Sequence, residues 1–183
     1  GDFTLDVQNT GNRTAWDVTL LDQLPDVASG GMCAAAPELL SARVFAADGV
    51  TPVAGKGELE PGVDFVTAFA GAPACELRLT LLSAAASIAP GERLVVRYRS
   101  ELDPDTESGT ALINVAGAVE WFNADDGEPG RQAYRRTLTT GTVGTPDHED
   151  AHTVNSQLTD LFFETNVANL SAGVAPTDTA APG

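Results

Sequence analysis

The sequence has few basic residues. Its 183 residues include 26 acidic and 10 basic side chains, which give a formal charge of −16, and Lys56 is the one lysine. A surface of this sign repels nucleic acid and anionic lipid, so we expect neither as a partner. It suits solubility in saline surroundings or the attraction of divalent cations, and a solvated acidic surface is the simpler interpretation.

Long apolar runs and targeting segments are also missing. No stretch is long and apolar enough to cross a membrane, so we expect no membrane insertion. No signal peptide opens the sequence, and because its first residue is glycine we interpret the chain as a piece of a longer protein. No glycine-rich phosphate loop and no Ser-His-Asp or Cys-His constellation stands out, so we expect no enzyme of those classes.

Short alternating segments make up most of the chain. Apolar and polar residues alternate over 3–8, 16–21, 40–46, 63–69, 76–82, 93–102, 110–122 and 133–139, and less regularly over 53–59. Turn residues separate these segments, and no convincing amphipathic helix appears among them, which predicts an all-β sandwich. We expect Leu40, Ala42 and Val44 to share one face, and we place a bulge of the long strand at Gly117.

The first two segments carry a family resemblance. Val7-Gln8-Asn9-Thr10-Gly11 is followed by Ala15 and by Asp17-Val18-Thr19-Leu20-Leu21-Asp22-Gln23-Leu24-Pro25. This arrangement resembles the opening of the "domain of unknown function eleven" repeat of long bacterial and archaeal surface proteins. The resemblance implies an immunoglobulin-like β-sandwich that serves as a non-catalytic, extracellular segment of a cell-surface filament, stalk or adhesin. Hairpin insertions between Asp26 and Cys75 would enlarge a minimal sandwich, which needs only about 100 residues.

Cys33 and Cys75 are the two cysteines of the chain. Members of the family that the chain resembles often pair cysteines that flank this part of the sandwich. Since such a parent protein is exported, we favour a Cys33–Cys75 disulfide over two buried free thiols.

The last part of the chain has a different composition. We assign 1–145 to the sandwich and 146–183 to a linker plus a C-terminal strand. In the family that the chain resembles, such a segment is the first strand of the following repeat, and the Pro-Gly end of this chain leads directly into its Gly-Asp-Phe beginning. We therefore expect this segment to pair with a copy of the chain or an adjacent repeat, head to tail. The strand-donor residues would be Val167, Leu170 and Val174. A flexible or locally folded tail and ordinary covalent tandem repeats remain the alternatives.

Acidic turns suggest a second function class. Calcium prefers several oxygen ligands at short spacing, and two turns offer them. The candidate ligands are Asp103, Asp105 and Glu107, and Asp125 and Asp126. Calcium is the single cofactor that we consider, and the alternative function is a calcium- or glycan-dependent adhesive module that binds a surface glycan or protein. Solvated acidic turns are the simpler interpretation.

The remaining motifs have plain interpretations. The run 148–152 matches the H-E-x-x-H spacing of zinc proteases, but that chemistry needs a helix, and the surroundings are polar and β-prone, so we interpret it as a chance match.

Lys56 lies between two glycines and is interpreted as a solvated turn residue. Trp16 and Trp121 lie in strand patterns and are interpreted as core residues in preference to sugar-stacking platforms. Asn12-Arg13-Thr14 is an N-glycosylation acceptor pattern in an exposed turn.

Overall fold

The computed structural model describes residues 1–139 and 147–157, which form an immunoglobulin-like β-sandwich. A single 3-10 turn, Ala84–Ala86, is the helical element of these residues. The strands are β1 (Asp2–Gln8), β2 (Trp16–Gln23), β3 (Asp26–Val27), β4 (Gly30–Gly31), β5 (Glu38–Phe45), β6 (Phe65–Ala70), β7 (Glu76–Leu81), β8 (Arg93–Arg99), β9 (Ala111–Phe122), β10 (Ala133–Arg135) and β11 (Glu149–Asn155). The all-β prediction is confirmed.

Two antiparallel sheets form the layers. The smaller sheet has the order β1-β8-β5, and the larger sheet has the order β10-β9-β2-β7-β6. Strand β11 pairs with the first part of β9, from Ala111 to Gly117, and β10 pairs with its last three residues. β3 and β4 form a separate two-stranded hairpin.

The hydrophobic core lies between these sheets because alternate residues of the strands point inward. Leu94, Val96 and Tyr98 of β8 are buried, and so are Leu79 and Leu81 of β7. The main cluster combines both sheets and contains Val18, Leu20, Ala42, Val44, Leu59, Phe65, Leu79, Leu81, Ala86, Ile88, Leu94 and Val96. The alternation predicted for β7 and β8 is therefore confirmed.

Strand β5 departs from the predicted pattern. Its pairing with β8 shifts register between Leu39 and Ser41, so Leu39 packs against the core. Leu40 is 39% exposed, and the prediction that it shares a face with Ala42 and Val44 is wrong. A bulge adds one residue to a strand and so reverses the faces of the residues before it.

Two further strand predictions need correction. The segment 53–59 is not a regular strand and meets β5 only near its ends, through single bridges such as Arg43 to Glu58. The irregularity of β9 is not at Gly117, which pairs with both Leu21 and Glu149. The register shifts instead where β9 meets the start of β2, between Trp16 and Leu20.

Gly117 allows β11 to approach β9 closely. A Cβ atom at this position would lie 2.5 Å from the His148 carbonyl oxygen and 2.8 Å from Leu138 Cδ2. Only glycine leaves room for both contacts. The sequence predicts a linker plus a C-terminal strand over 146–183, and in the structure Glu149–Asn155 form β11, which pairs with β9. Residues 146 and 158–183 lie outside the described residues, so the predicted boundary stays a prediction.

Candidate functional site

A groove lies at the end of the sandwich where β1 ends and β2 begins. Three connections meet there: the β1–β2 turn, the turn before β8, and the β9–β10 loop. We call this concavity the loop-end groove, and its volume is about 550 Å³. Its lining residues are Asn12, Arg13, Thr14, Trp16, Pro90, Asn123, Ala124, Asp125 and Glu128.

Asn9 holds the β1–β2 turn against the turn before β8. Its side-chain nitrogen donates to the carbonyl oxygens of Arg13 at 2.8 Å and Ile88 at 2.7 Å, and its Oδ1 accepts from the Gly11 backbone N–H at 2.9 Å. Backbone hydrogen bonds join Ala15 and Ile88 in both directions. One asparagine therefore fixes two walls of the groove, because side-chain amides can replace backbone partners in tight turns.

Lys56 and Glu92 hold the turn before β8, which forms one wall of the groove. Lys56 Nζ donates to the Ser87 carbonyl oxygen at 2.6 Å and to Glu92 Oε2 at 2.7 Å, and both side chains of the pair are about 15% exposed. Glu92 Oε2 also accepts from the Ala89 backbone N–H at 2.8 Å. The interpretation of Lys56 as a solvated lysine is wrong, since its ammonium group is bonded to the turn before β8 and is largely shielded from water.

Arg131 fixes the third wall. Its guanidinium forms an ion pair with Asp17 and lies 3.4 Å above the centre of the Phe122 ring. Both charged side chains are less than one quarter exposed, so the pair is partly shielded from water. Asp17 has φ 46°, a conformation that non-glycine residues rarely adopt, and the ion pair helps to hold it. The β9–β10 loop is thereby attached to the first residues of β2.

Trp16 is not a core residue. It is half-buried, lines the groove and is absent from the core clusters, so the interpretation as core is wrong. The physical reason is the irregular pairing between Trp16 and Thr19, which takes Trp16 out of the alternation that buries Val18 and Leu20. Trp121, by contrast, packs against the core and stacks on Tyr134 with ring centres 5.9 Å apart.

The polar groups of the groove surround the Trp16 indole. Asn12, Arg13, Asp125 and Glu128 are exposed, and Asn123 is half-buried. Asn123 Oδ1 accepts from the Gln132 backbone N–H at 2.7 Å, which closes the loop on itself. The groove offers an aromatic face beside amide, guanidinium and carboxylate groups, a combination suited to binding a polar molecule with an apolar face.

A buried carboxylate lies in the core, away from the groove. Asp22 is 1% exposed and accepts a 2.6 Å hydrogen bond from Tyr98 Oη, which in turn accepts from Asn114 Nδ2 at 3.1 Å. Burial raises the pKa of Asp22 to about 6, against the lowering effect of the hydrogen bond from Tyr98 and of the nearby Asn114 amide. Asp22 Oδ1 and Asn114 Oδ1 are buried without a partner. Sequence reasoning missed this cluster because Asp22 belongs to the resemblance motif and its polarity suggests a surface position.

Cys33 and Cys75 form the predicted disulfide, with an S–S distance of 2.04 Å. Both cysteines are buried and pack with Leu24, Leu77 and Tyr98 in a second core cluster. The Asp26 carboxylate lies 3.6 Å from Cys75 Sγ. This is the one group of three clustered metal-ligand residues within the described ranges, and its sulfur atoms are bonded to each other.

The predicted calcium ligands lie at opposite ends of the sandwich. Asp103 Oδ1 accepts from the backbone N–H groups of Cys33 at 2.8 Å and Ala34 at 2.7 Å, so this oxygen already closes a turn. Asp105 and Glu107 are exposed around the buried Thr106. Asp125 and Asp126 are exposed in the β9–β10 loop, where Asp125 Oδ1 accepts from the Asp126 backbone N–H at 2.8 Å. Calcium binding stays a prediction at both places.

The other predicted sites fall on β11 or beyond it. His148 precedes β11 and His152 lies within it, so the H-E-x-x-H run has no helical face. His148 Nδ1 lies 3.0 Å from Asp147 Oδ1, and the Glu149 carboxylate accepts from the backbone N–H and hydroxyl of Thr139, which lower the pKa of Glu149. The strand-donor residues Val167, Leu170 and Val174 lie outside the described residues. No helix in 1–139 or 147–157 has the length and apolar character to cross a membrane.

Comparison with known proteins leaves the family open. No protein-family model matches the chain, and no curated protein matches it. Among solved structures, the chain is similar to the collagen-binding domain from a Staphylococcus aureus adhesin, with 10% sequence identity and a TM-score of 0.42. That similarity covers 85% of this chain and 87% of the other.

Proposed function

We propose that the chain is a non-catalytic, extracellular module of a cell-surface protein, of the filament, stalk or adhesin type. Its contact surface would be the loop-end groove. The Cys33–Cys75 disulfide supports an oxidising compartment, because such bonds persist mainly outside the cytosol.

The observation that carries the proposal is the position of the loop-end groove, which lies at the end of the sandwich opposite to the disulfide. The Gly1 amino group donates to the Ser100 carbonyl oxygen at 2.6 Å, where β8 ends. Ser156 bonds Thr110 and Gly109, where β9 begins. Both places adjoin the loop 100–110 near the disulfide, and the loop-end groove lies at the other end of the sandwich. A partner can therefore reach the groove without contacting the disulfide end of the sandwich.

A test of this arrangement compares two orientations of the folded chain on beads. One preparation carries biotin at Gly1, and the other carries it on a cysteine introduced by Ala124→Cys in the groove wall. We expect the beads attached through Gly1 to adhere to at least one of four coated surfaces: collagen, fibronectin, intact mucin and deglycosylated mucin. Beads attached through the groove wall should adhere far less. Adhesion that is equal in both orientations, or absent on all four surfaces, would contradict the proposal.

A more specific form of the same proposal is that the chain donates a strand, head to tail, to another copy of itself. In the described ranges, β8 is the one strand that pairs with β1, so the other edge of β1 has free backbone groups. Phe3, Leu5 and Val7 along this strand are only half-buried. A free edge beside incompletely covered apolar residues is the kind of surface that accepts an added strand.

Light scattering after size-exclusion chromatography tests strand donation. We expect the full chain to form a ladder of oligomers and a chain ending at Gln157 to be monomeric. The matched control is the full-length triple variant Val167→Asp, Leu170→Asp and Val174→Asp, which should also be monomeric because charged residues disfavour the strand interface. If the unmodified full chain is monomeric at all concentrations, intermolecular strand donation is excluded. The proposal of an adhesive module would not be affected by that result.

A further inference from the structure

We propose that the loop-end groove binds a neutral saccharide, with the Trp16 indole as the stacking platform. The inference rests on the proposed function, since it names the ligand class of the surface that would make contact. A sugar ring presents apolar C–H groups on its faces and hydroxyl groups around its rim. The groove presents the complementary arrangement.

The aromatic part of the site comes from the irregular start of β2. Trp16 pairs with Phe122 across the sheet, but the register shift before Thr19 leaves its side chain half-buried at the groove instead of packed in the core. An indole half in contact with water is a large apolar surface whose burial by a ligand is favourable. Pro90 and Ala124 add small apolar surfaces to the walls.

The polar groups of the groove are suited to binding hydroxyl groups of a ligand and not anionic groups. Asp125 and Glu128 supply carboxylate acceptors, Asn12 supplies an amide that both donates and accepts, and Arg13 is the one cation of the lining. The protein carries a formal charge of −16, which repels sulfated and sialylated sugars. A neutral, hydroxyl-rich ligand avoids this repulsion and uses both kinds of hydrogen-bonding group.

The groove is preorganised for a ligand. Asn9 ties two of its walls together, the Lys56–Glu92 pair supports one of them, and the Arg131–Asp17 pair attaches the third. The groove is wide open to solvent, so a ligand would lie along it and stay partly exposed. Loops that are already held in place lose little conformational entropy when a ligand binds.

The saccharide could reach the groove from two sources. One is a glycan of another molecule or surface, and the other is a glycan attached to this chain at Asn12. The acceptor pattern Asn12-Arg13-Thr14 forms part of the groove lining, so a sugar on Asn12 would lie beside Trp16. The chemistry that recognises the sugar is the same in both cases.

Tryptophan fluorescence provides the first test. The Trp121→Phe variant leaves Trp16 as the single indole, and it is made in a bacterial host without N-glycosylation. It is titrated with maltose, cellobiose, lactose, mannobiose and chitobiose, with sialyllactose as the charged comparison. We expect a saturable change in emission with at least one neutral disaccharide, and much weaker binding of sialyllactose.

Variants in the unlabelled full chain test the geometry by calorimetry. Trp16→Phe and Asp125→Asn should each weaken the binding of the best disaccharide by about tenfold, the size expected for an aromatic contact or a good hydrogen bond. Trp121→Phe should leave the affinity unchanged, and it is the matched control for replacing a tryptophan. Circular dichroism and thermal melts confirm that each variant is folded.

A third arm identifies the source of the sugar. The chain is produced in a host that performs N-glycosylation, and mass spectrometry determines whether Asn12 is occupied. Protection of Trp16 from oxidation by N-bromosuccinimide, lost after enzymatic deglycosylation, would assign the groove to the attached glycan. An unoccupied Asn12 together with disaccharide binding would assign it to a glycan from elsewhere.

The inference fails if no neutral disaccharide binds and no Asn12 glycan protects Trp16, or if Trp16→Phe and Asp125→Asn leave the affinity unchanged. These outcomes are distinct from failure of the proposed function. Groove-dependent adhesion of beads to collagen or deglycosylated mucin, without any saccharide binding, would keep the adhesive module and replace its ligand class by a protein.

Discussion

The buried Asp22 carboxylate makes the stability of this sandwich depend on pH in an unusual direction. Burial raises its pKa from the ordinary value of 3.8 to about 6. The folded state therefore holds the proton more tightly than the unfolded chain does, so protonation of Asp22 stabilises the fold. This contribution is complete below about pH 4 and is lost as the pH rises through 6.

The magnitude follows from the difference between the two pKa values. Each unit corresponds to about 1.4 kcal/mol, so the free energy of unfolding should fall by about 3 kcal/mol between pH 4 and pH 7 on account of this group. The hydrogen bonding of the cluster is consistent with a raised pKa of Asp22. Asp22 Oδ1 and Asn114 Oδ1 are both buried acceptors without a donor. A proton on Asp22 supplies a donor where the charged form has none.

The assay is urea unfolding at a series of pH values between 4 and 7.5, on the unmodified chain and on Asp22→Asn. The amide is neutral at every pH, can accept from Tyr98 Oη and adds a donor to the buried cluster. We expect the variant to lose little stability between pH 4 and 7 and to be the more stable protein at pH 7. Asp22→Ala leaves the Tyr98 hydroxyl without its acceptor, so this variant should be less stable than Asp22→Asn at all pH values.

The difference between the two proteins isolates Asp22 from other carboxylates. Hydrogen bonds from Thr51 lower the pKa of Asp48 to about 2, and hydrogen bonds from Thr139 lower the pKa of Glu149. Those groups lose stabilisation only in acid, and they do so equally in both proteins. Parallel stability curves for the unmodified chain and Asp22→Asn from pH 4 to 7 would refute the argument, because Asp22 would then not titrate in that range.

Three further changes test the framework of the sandwich. Replacing both Cys33 and Cys75 by serine removes a bond across a sequence separation of 42, and thermal melts should show a loss of about 4 kcal/mol by the chain-entropy model, matching reduction of the unmodified chain. Gly117→Ala should cost about 1–3 kcal/mol in urea unfolding and should deprotect β11 amides in hydrogen exchange, whereas Gly57→Ala, with open space around it, should be neutral. Asn9→Ala should cost about 1–3 kcal/mol, because it removes the donor to the Arg13 carbonyl oxygen, the acceptor of the Gly11 N–H and one of the two donors to the Ile88 carbonyl oxygen. The exposed Thr10→Ala is its control, and equal melting temperatures for the two would contradict the role of Asn9.

The sequence predicts the sandwich well where one strand face is buried and the other is wet. Alternation identifies β7 and β8 almost to the residue, and the inward residues Leu77, Leu79 and Leu81 are those expected. The prediction is weaker where pairing is irregular. The register shifts at Leu39 and at Trp16 are set by neighbouring strands, so no pattern within β5 or β2 reveals them.

Strand β11 shows why polar strands are hard to predict. Only Ala151 of its seven residues is buried, and four of the seven are exposed. Its partner is β9, whose glycine at 117 admits the close approach. A strand that contributes so little to the core carries little hydrophobic signal, and its position is decided by a distant segment of the chain.

The candidate site also combines features that the sequence predicts with features that only the tertiary structure decides. The sequence alone determines the class of fold, the acidic surface, the two cysteines available for pairing and the turn at Asn9, because each depends on local pattern or on composition. Only the tertiary structure decides that Trp16 faces a groove, that Lys56 supports its wall and that Asp22 is buried. These outcomes depend on contacts between distant residues, such as Lys56 with Glu92, 36 positions apart, and Asp17 with Arg131, 114 positions apart, which local sequence patterns do not encode.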